Sequence, residues 1–131
     1  MSQASDYLEN ALINHLFRNV VLTAPTTCAV ALFTTTPSDA ASSGAELHTS
    51  GGYTRLSASF GPALTGSTAN INALTFGPAT TNWGSIVAFA VFDNITSGSG
   101  NMLIWNTMSA VTVNSGDSAS FASGSLQISV L

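Results

Sequence analysis

Few residues in this chain could do chemistry. The stock is two histidines (His15, His48), one cysteine (Cys28), two arginines (Arg18, Arg55), six carboxylates and many serines. A nucleophilic site needs a Ser or Cys beside a base and a group that orients the base. No serine stands in a Gly-x-Ser-x-Gly elbow, and the two histidines fall on a predicted helix and in a long loop, so no triad is expected. Glu46 and His48 lie two apart without a second close pair of ligands, and Cys28 has no partner at finger spacing. Asp93 in Phe92-Asp93-Asn94 and Asp117 in Gly116-Asp117-Ser118 carry oxygens that suit calcium. Carboxylates accepting backbone hydrogen bonds at a turn account for both more simply. The glycines flank strands and do not open a helix, so no phosphate-cradling loop is present. Catalytic, cofactor and metal residues are all expected to be none. Asn94-Ile95-Thr96 matches a glycosylation acceptor, but residues 1–10 show no secretory pattern to go with it.

Four further residues suggest contact rather than catalysis. Tyr53, Trp83 and Trp105 have faces that suit a sugar ring, although packing in a core or an interface serves them equally. In Ser50-Gly51-Gly52-Tyr53-Thr54-Arg55, the paired glycines make a sharp turn, after which Tyr53 and Arg55 point to one face of a strand. Arg55 can pair with Glu46 across the loop this closes, a contact worth under about 1 kcal/mol if exposed. Tyr53, Arg55, Trp83 and Trp105 are therefore the candidate surface contacts, on a stretch that joins a loop to a strand.

Those residues must be positioned by a mostly β framework. Leu8, Ala11, Leu12, His15 and Leu16 recur at the spacing of one helical face, predicting a helix over 6–18 capped by Ser5 or Asp6. Ile13 and Phe17 add a second apolar strip, so Leu8, Leu12, Ile13, Leu16 and Phe17 form a candidate assembly interface. Beyond Pro25 come short apolar runs at 27–34, 52–60, 69–76, 85–93, 101–107, 118–121 and 125–131, parted by Gly, Pro, Ser and Asn. The runs at 27–34 and 85–93 are apolar on both faces, as in strands covered on two sides. In 69–76 the apolar residues change parity, which predicts a bulge or a crossing between sheets. The expectation is an antiparallel β-sandwich or barrel of about seven short strands with one N-terminal α-helix. The helix and arm occupy 1–24, and a single β domain occupies 25–131. The loop at 37–52 is long enough to be functional or disordered.

Composition narrows the function. Only 6% of residues are charged, against about 25% in an ordinary domain, and lysine is absent. A surface of Ser, Thr, Asn, Gly and Ala has little long-range field, which excludes nucleic acid and anionic lipid as partners. Such a surface loses little on desolvation, which suits a subunit packed against neighbours. The single cysteine permits no internal disulfide and reads as a buried free thiol. No run approaches the 18 or so apolar residues of a membrane span.

The order of several short motifs carries a family resemblance. These are Ile13-Asn14-His15-Leu16-Phe17, Val30-Ala31-Leu32-Phe33 with Pro37, Gly44-Ala45-Glu46, and Gly51-Gly52-Tyr53-Thr54-Arg55. Later come Asn70, Thr75-Phe76, Trp83-Gly84, Phe92-Asp93, Gly100-Asn101-Met102-Leu103, Gly116-Asp117, Phe121 and Gly124-Ser125-Leu126. Together they resemble small tailed-phage virion proteins of the tail-fibre-like or minor-tail kind, with Leu47-His48-Thr49 departing from the small residues of that pattern. The resemblance implies a non-enzymatic structural subunit of a virion, assembled in the host cytoplasm. Its partners would be copies of itself in a symmetric oligomer such as a trimer, together with other phage structural proteins. A head decoration protein and a host-glycan or receptor-binding module are the alternatives.

Overall fold

The computed structural model describes residues 3–40 and 44–130. Residues 41–43 of the long loop, Met1, Ser2 and Leu131 of the last predicted strand lie outside the described residues. Elements follow in chain order: β1 (Gln3–Ala4), α1 (Asp6–Arg18), β2 (Ala29–Thr35), β3 (Ala45–Glu46), a 3-10 turn (Thr49–Gly51), β4 (Leu56–Ser57), β5 (Ser67–Ala69), β6 (Leu74–Phe76), β7 (Gly84–Phe92), β8 (Met102–Val113), β9 (Ala119–Phe121) and β10 (Gln127–Ser129). The class is mainly β with one helix, as expected, in open antiparallel sheets with no closed barrel. Among the described residues ten strands replace the expected seven or so: β1 and β3 are two residues long, too short to show periodicity, and the run expected at 69–76 divides into β5 and β6.

The main sheet runs β1-β8-β7-β2-β3, with β4 also on the outer edge of β2. Two small sheets, β5 with β10 and β6 with β9, complete the strands. The parity change in 69–76 is thus a crossing, since β5 and β6 belong to different sheets. The main sheet is buried on both faces, which explains its doubly apolar strands. One cluster gathers Val30, Leu32, Tyr53, Phe76, Trp83, Ile86, Phe89, Val91 and Val113; the other gathers Ala31, Phe33, Ala88, Ala90, Phe92, Met102 and Trp105. Simple alternation along β7 fails at one point. Ile86 joins the first cluster, whereas Val87 and Ala88 both contact the second, where the β7–β8 register shifts.

Helix α1 starts where Ser5 caps it. The Ser5 hydroxyl accepts from the Leu8 N–H at 3.2 Å and donates to the Met102 carbonyl. Asp6 and Glu9 lie at the positive end of the helix dipole and Arg18 at the negative end. Asn19, in left-handed conformation at φ 56°, stops it. Among the described residues, no helix is long and apolar enough to cross a membrane. Because Ser5 is buried and ties helix to sheet, Ser5→Ala is expected to cost about 1–2 kcal/mol, read as a lower urea midpoint at unchanged slope. A loss confined to a few tenths would mean that the Met102 carbonyl finds water instead.

Candidate functional site

The outer edge of β2 builds the site. β4 pairs with Ala29 and Val30, and β3 pairs with Phe33 and Thr35, leaving the Leu32 N–H in the gap between them. The Tyr53 hydroxyl fills that gap, accepting from the Leu32 N–H at 3.2 Å and donating to Glu46 Oε1 at 2.8 Å. A buried N–H within a sheet needs such a partner. Tyr53 is brought there by Gly51-Gly52. A Cβ on Gly51 would lie 2.9 Å from Trp83 Nε1, and Gly52 takes φ +81°, which favours glycine.

Two residues further on, the Arg55 guanidinium meets Glu46 in a two-pronged ion pair. Nε donates to Oε1 at 2.7 Å and Nη2 to Oε2 at 2.8 Å. Nη1 reaches across to the 94–99 turn, donating to the carbonyls of Asn94 and Ser99 at 2.8 Å each. The guanidinium carbon sits 3.8 Å above the centre of the Phe92 ring, and the Gly98 N–H adds a 3.3 Å bond to Glu46 Oε2. The planar fork of arginine suits this bidentate, stacked position in a way that lysine would not.

Electrostatics follow from the geometry. Burial pulls the Glu46 carboxyl upward, but the bonds from Arg55 and Tyr53, the guanidinium charge and the Gly98 N–H outweigh it, so its pKa falls below the usual carboxylate value. Tyr53 is pushed well up, first by burial and then by the charge and hydrogen bond of Glu46. Burial, then the charge of Asp93, raises the Cys28 thiol. Beside the clamp lies a recess of about 230 Å³ lined by Phe33, Phe92, Met102 and Arg55 among others. The donors and acceptors of the cluster are consumed in holding the 46–55 segment and the 94–99 turn against one strand. Their chemistry is that of a clamp.

The predicted surface contacts are corrected by this arrangement. Tyr53, Arg55, Trp83 and Trp105 are all buried, at 0%, 3%, 7% and 9% exposure. Tyr53 and Trp83 meet edge to face at 5.9 Å in one cluster, whereas Trp105 lies in the cluster on the opposite face of the sheet. Trp83 Nε1 donates to the Gly51 carbonyl and Trp105 Nε1 to Asp39 Oδ1, each at 2.8 Å. No shared stacking platform forms from these three. The Glu46–Arg55 pair forms as anticipated, and it is buried, so the value for an exposed pair does not apply to it. Sequence reading missed the carbonyls of the 94–99 turn and the ring of Phe92; a lone arginine beside a lone nearby glutamate was the only signal.

Other polar candidates are local. His48 caps the 3-10 turn, its Nδ1 accepting from the Ser50 N–H at 3.1 Å. Asp93 holds the Asn101 backbone and side-chain nitrogens at 2.7 and 3.0 Å, and Asp117 accepts from the Asn114 N–H at 3.1 Å. The candidate assembly residues divide into two groups. Leu8 and Leu12 are half-buried, with Leu8 facing a groove it shares with Leu22, Pro25 and Leu103, while Ile13, Leu16 and Phe17 are exposed.

Against known proteins, the family model described as podophage GP4 fiber I protein gp80 matches residues 3–129. That span includes the clamp, both clusters and the helix. No curated protein matches the chain.

Proposed function

Because the chain belongs to the podophage GP4 fiber I protein gp80 family, we propose that it serves as a non-enzymatic, tail-associated structural subunit that works by packing against other virion proteins. The observation that carries this reading is a family match running almost end to end. Two physical features support it. The near absence of surface charge lowers the desolvation cost of contact with neighbours, and the clamp stiffens the edge of a small domain that has no disulfide to do so. Copies of the chain and other phage structural proteins are the proposed partners.

Immunogold labelling of purified particles with antibody to this chain tests the proposal. Label on tails or their fibres is the expected result. Label over the heads would replace the tail role by capsid decoration, and particles without label would overturn the virion role altogether.

A further inference from the structure

The continuous stretch 6–26 contains no buried residue. It comprises helix α1 and most of the irregular arm that returns from the helix toward β2. Among the described residues, neither core cluster takes a member from it. Its two ends are fixed all the same. On one side Ala4 is buried and pairs with Ile104 of β8, and Ser5 next to it is buried as well. On the other the Cys28 carbonyl accepts from the Ala58 N–H at 2.8 Å, and Ala29 is fully buried in β2. We infer that residues 6–26 open as one unit, hinged at these two ends, while the main sheet and both clusters stay intact. The inference stands on the single chain and goes beyond the tail role: a rigid β body carries one movable strap.

The bonding pattern defines the unit. Its ties to the body gather at the first hinge, where the Asp6 N–H donates to the Asp39 carbonyl at 2.9 Å and Ser5 holds the N–H groups of Leu8 and Glu9. Past the helix, the arm is tied to α1 itself. The Val20 N–H donates to the Asn14 carbonyl at 3.1 Å, and His15 Nδ1 lies 3.1 Å from the Val20 carbonyl oxygen and 3.3 Å from the Leu22 nitrogen. Helix and arm therefore travel together. Between them and the β body runs a groove of about 440 Å³, lined by Leu8, Leu22, Pro25, Asp93 and Leu103 among others. Side chains that face each other across such a gap forfeit much of their dispersion energy. A segment with so little buried apolar contact opens at a free energy well below that of global unfolding. Once released, a helix of 13 residues is too short to keep its hydrogen bonds in water, so opening exposes its amides. Strand β7 is the contrast: it is central in the main sheet and buried along 88–92, so its amides are freed only when the whole fold opens.

Native-state hydrogen exchange of the full chain in low urea tests the opening, with trypsin as a second probe. The amides of 10–18 should exchange together, about a hundredfold or more faster than those of 88–91, and with a shallower dependence on urea. The chain holds no lysine, so trypsin has two sites, Arg18 within the strap and Arg55 inside the clamp. Without urea, the initial rate of cleavage after Arg18 should exceed that after Arg55 by a similar factor. Amides of 10–18 that exchange as slowly as those of 88–91, with the same urea dependence, would show that the helix opens only with the whole fold and overturn the inference. A graded pattern, fast at 16–18 but as slow as the strand at 10–12, would reduce the motion to fraying of one helix end and overturn it too, even with Arg18 cleaved.

Discussion

Glu46→Gln is expected to destabilise the fold by about 3–5 kcal/mol, the usual cost of stranding one half of a buried ion pair. Arg55 has almost no access to solvent, and its guanidinium would keep its bonds to Asn94 and Ser99 while losing its countercharge. The complementary change should cost less than the sum of the two single ones. Glu46→Leu together with Arg55→Met strands no ion, and leaves only the Tyr53 hydroxyl, the Gly98 N–H and the carbonyls of Asn94 and Ser99 to find other partners. A double-mutant cycle of Glu46→Leu, Arg55→Met and their combination, read from urea unfolding, therefore gives the coupling directly. Two single variants whose costs simply add would show that the pair is not coupled, and the clamp would be a crowd of independent contacts. The same carboxylate sets the acid limb of stability. Its folded pKa lies below the ordinary value, so the stabilisation is complete above about pH 4.3, the unfolded value. It is lost as the pH falls through the lower folded value. Glu46→Gln should accordingly reduce the difference in stability between pH 7 and pH 3.

The clamp shows where sequence reading succeeded and where it stopped. The helix was legible because Ser5, the acidic first turn and the apolar stripe all point to one state, and they do so without help from tertiary contacts. Strands β2 and β7 were legible because burial on both faces writes a continuous apolar run. Alternation misled around Tyr53 and Arg55. Their shared parity suggests one face of a strand, but only Leu56 and Ser57 of that run pair as a strand. Tyr53 and Arg55 are placed instead by an unmet N–H on β2 and by turn carbonyls some forty residues away. Such partners have no local signature. The register shift beside Val87 was likewise silent, since it depends on how β8 lies against β7.

Tyr53 is the second place where one substitution should have a large effect, and two variants separate its two roles. Tyr53→Ala removes a ring that stacks on Phe76 at 6.3 Å and meets Trp83 edge to face, in a fully buried position. Cavity formation there should cost about 3–5 kcal/mol. Tyr53→Phe keeps the ring and deletes only the hydroxyl, leaving the Leu32 N–H without an acceptor inside the sheet, for about 1–3 kcal/mol. The hydroxyl also governs the alkaline limb. Burial first, then the adjacent Glu46 charge, holds the folded phenol neutral well above its ordinary range, whereas in the unfolded chain it ionises near pH 10. Above about pH 10 the folded state thus binds more protons than the unfolded state, and stability falls as the pH rises toward the raised folded value. Tyr53→Phe should flatten that decline while lowering stability at neutral pH. A variant with the neutral-pH loss but an undiminished alkaline decline would place the titration elsewhere and reduce Tyr53 to a packing residue. Were the decline flattened without any neutral-pH loss, water would be meeting the Leu32 N–H, and the edge of β2 would be more open than the burial of Tyr53 implies.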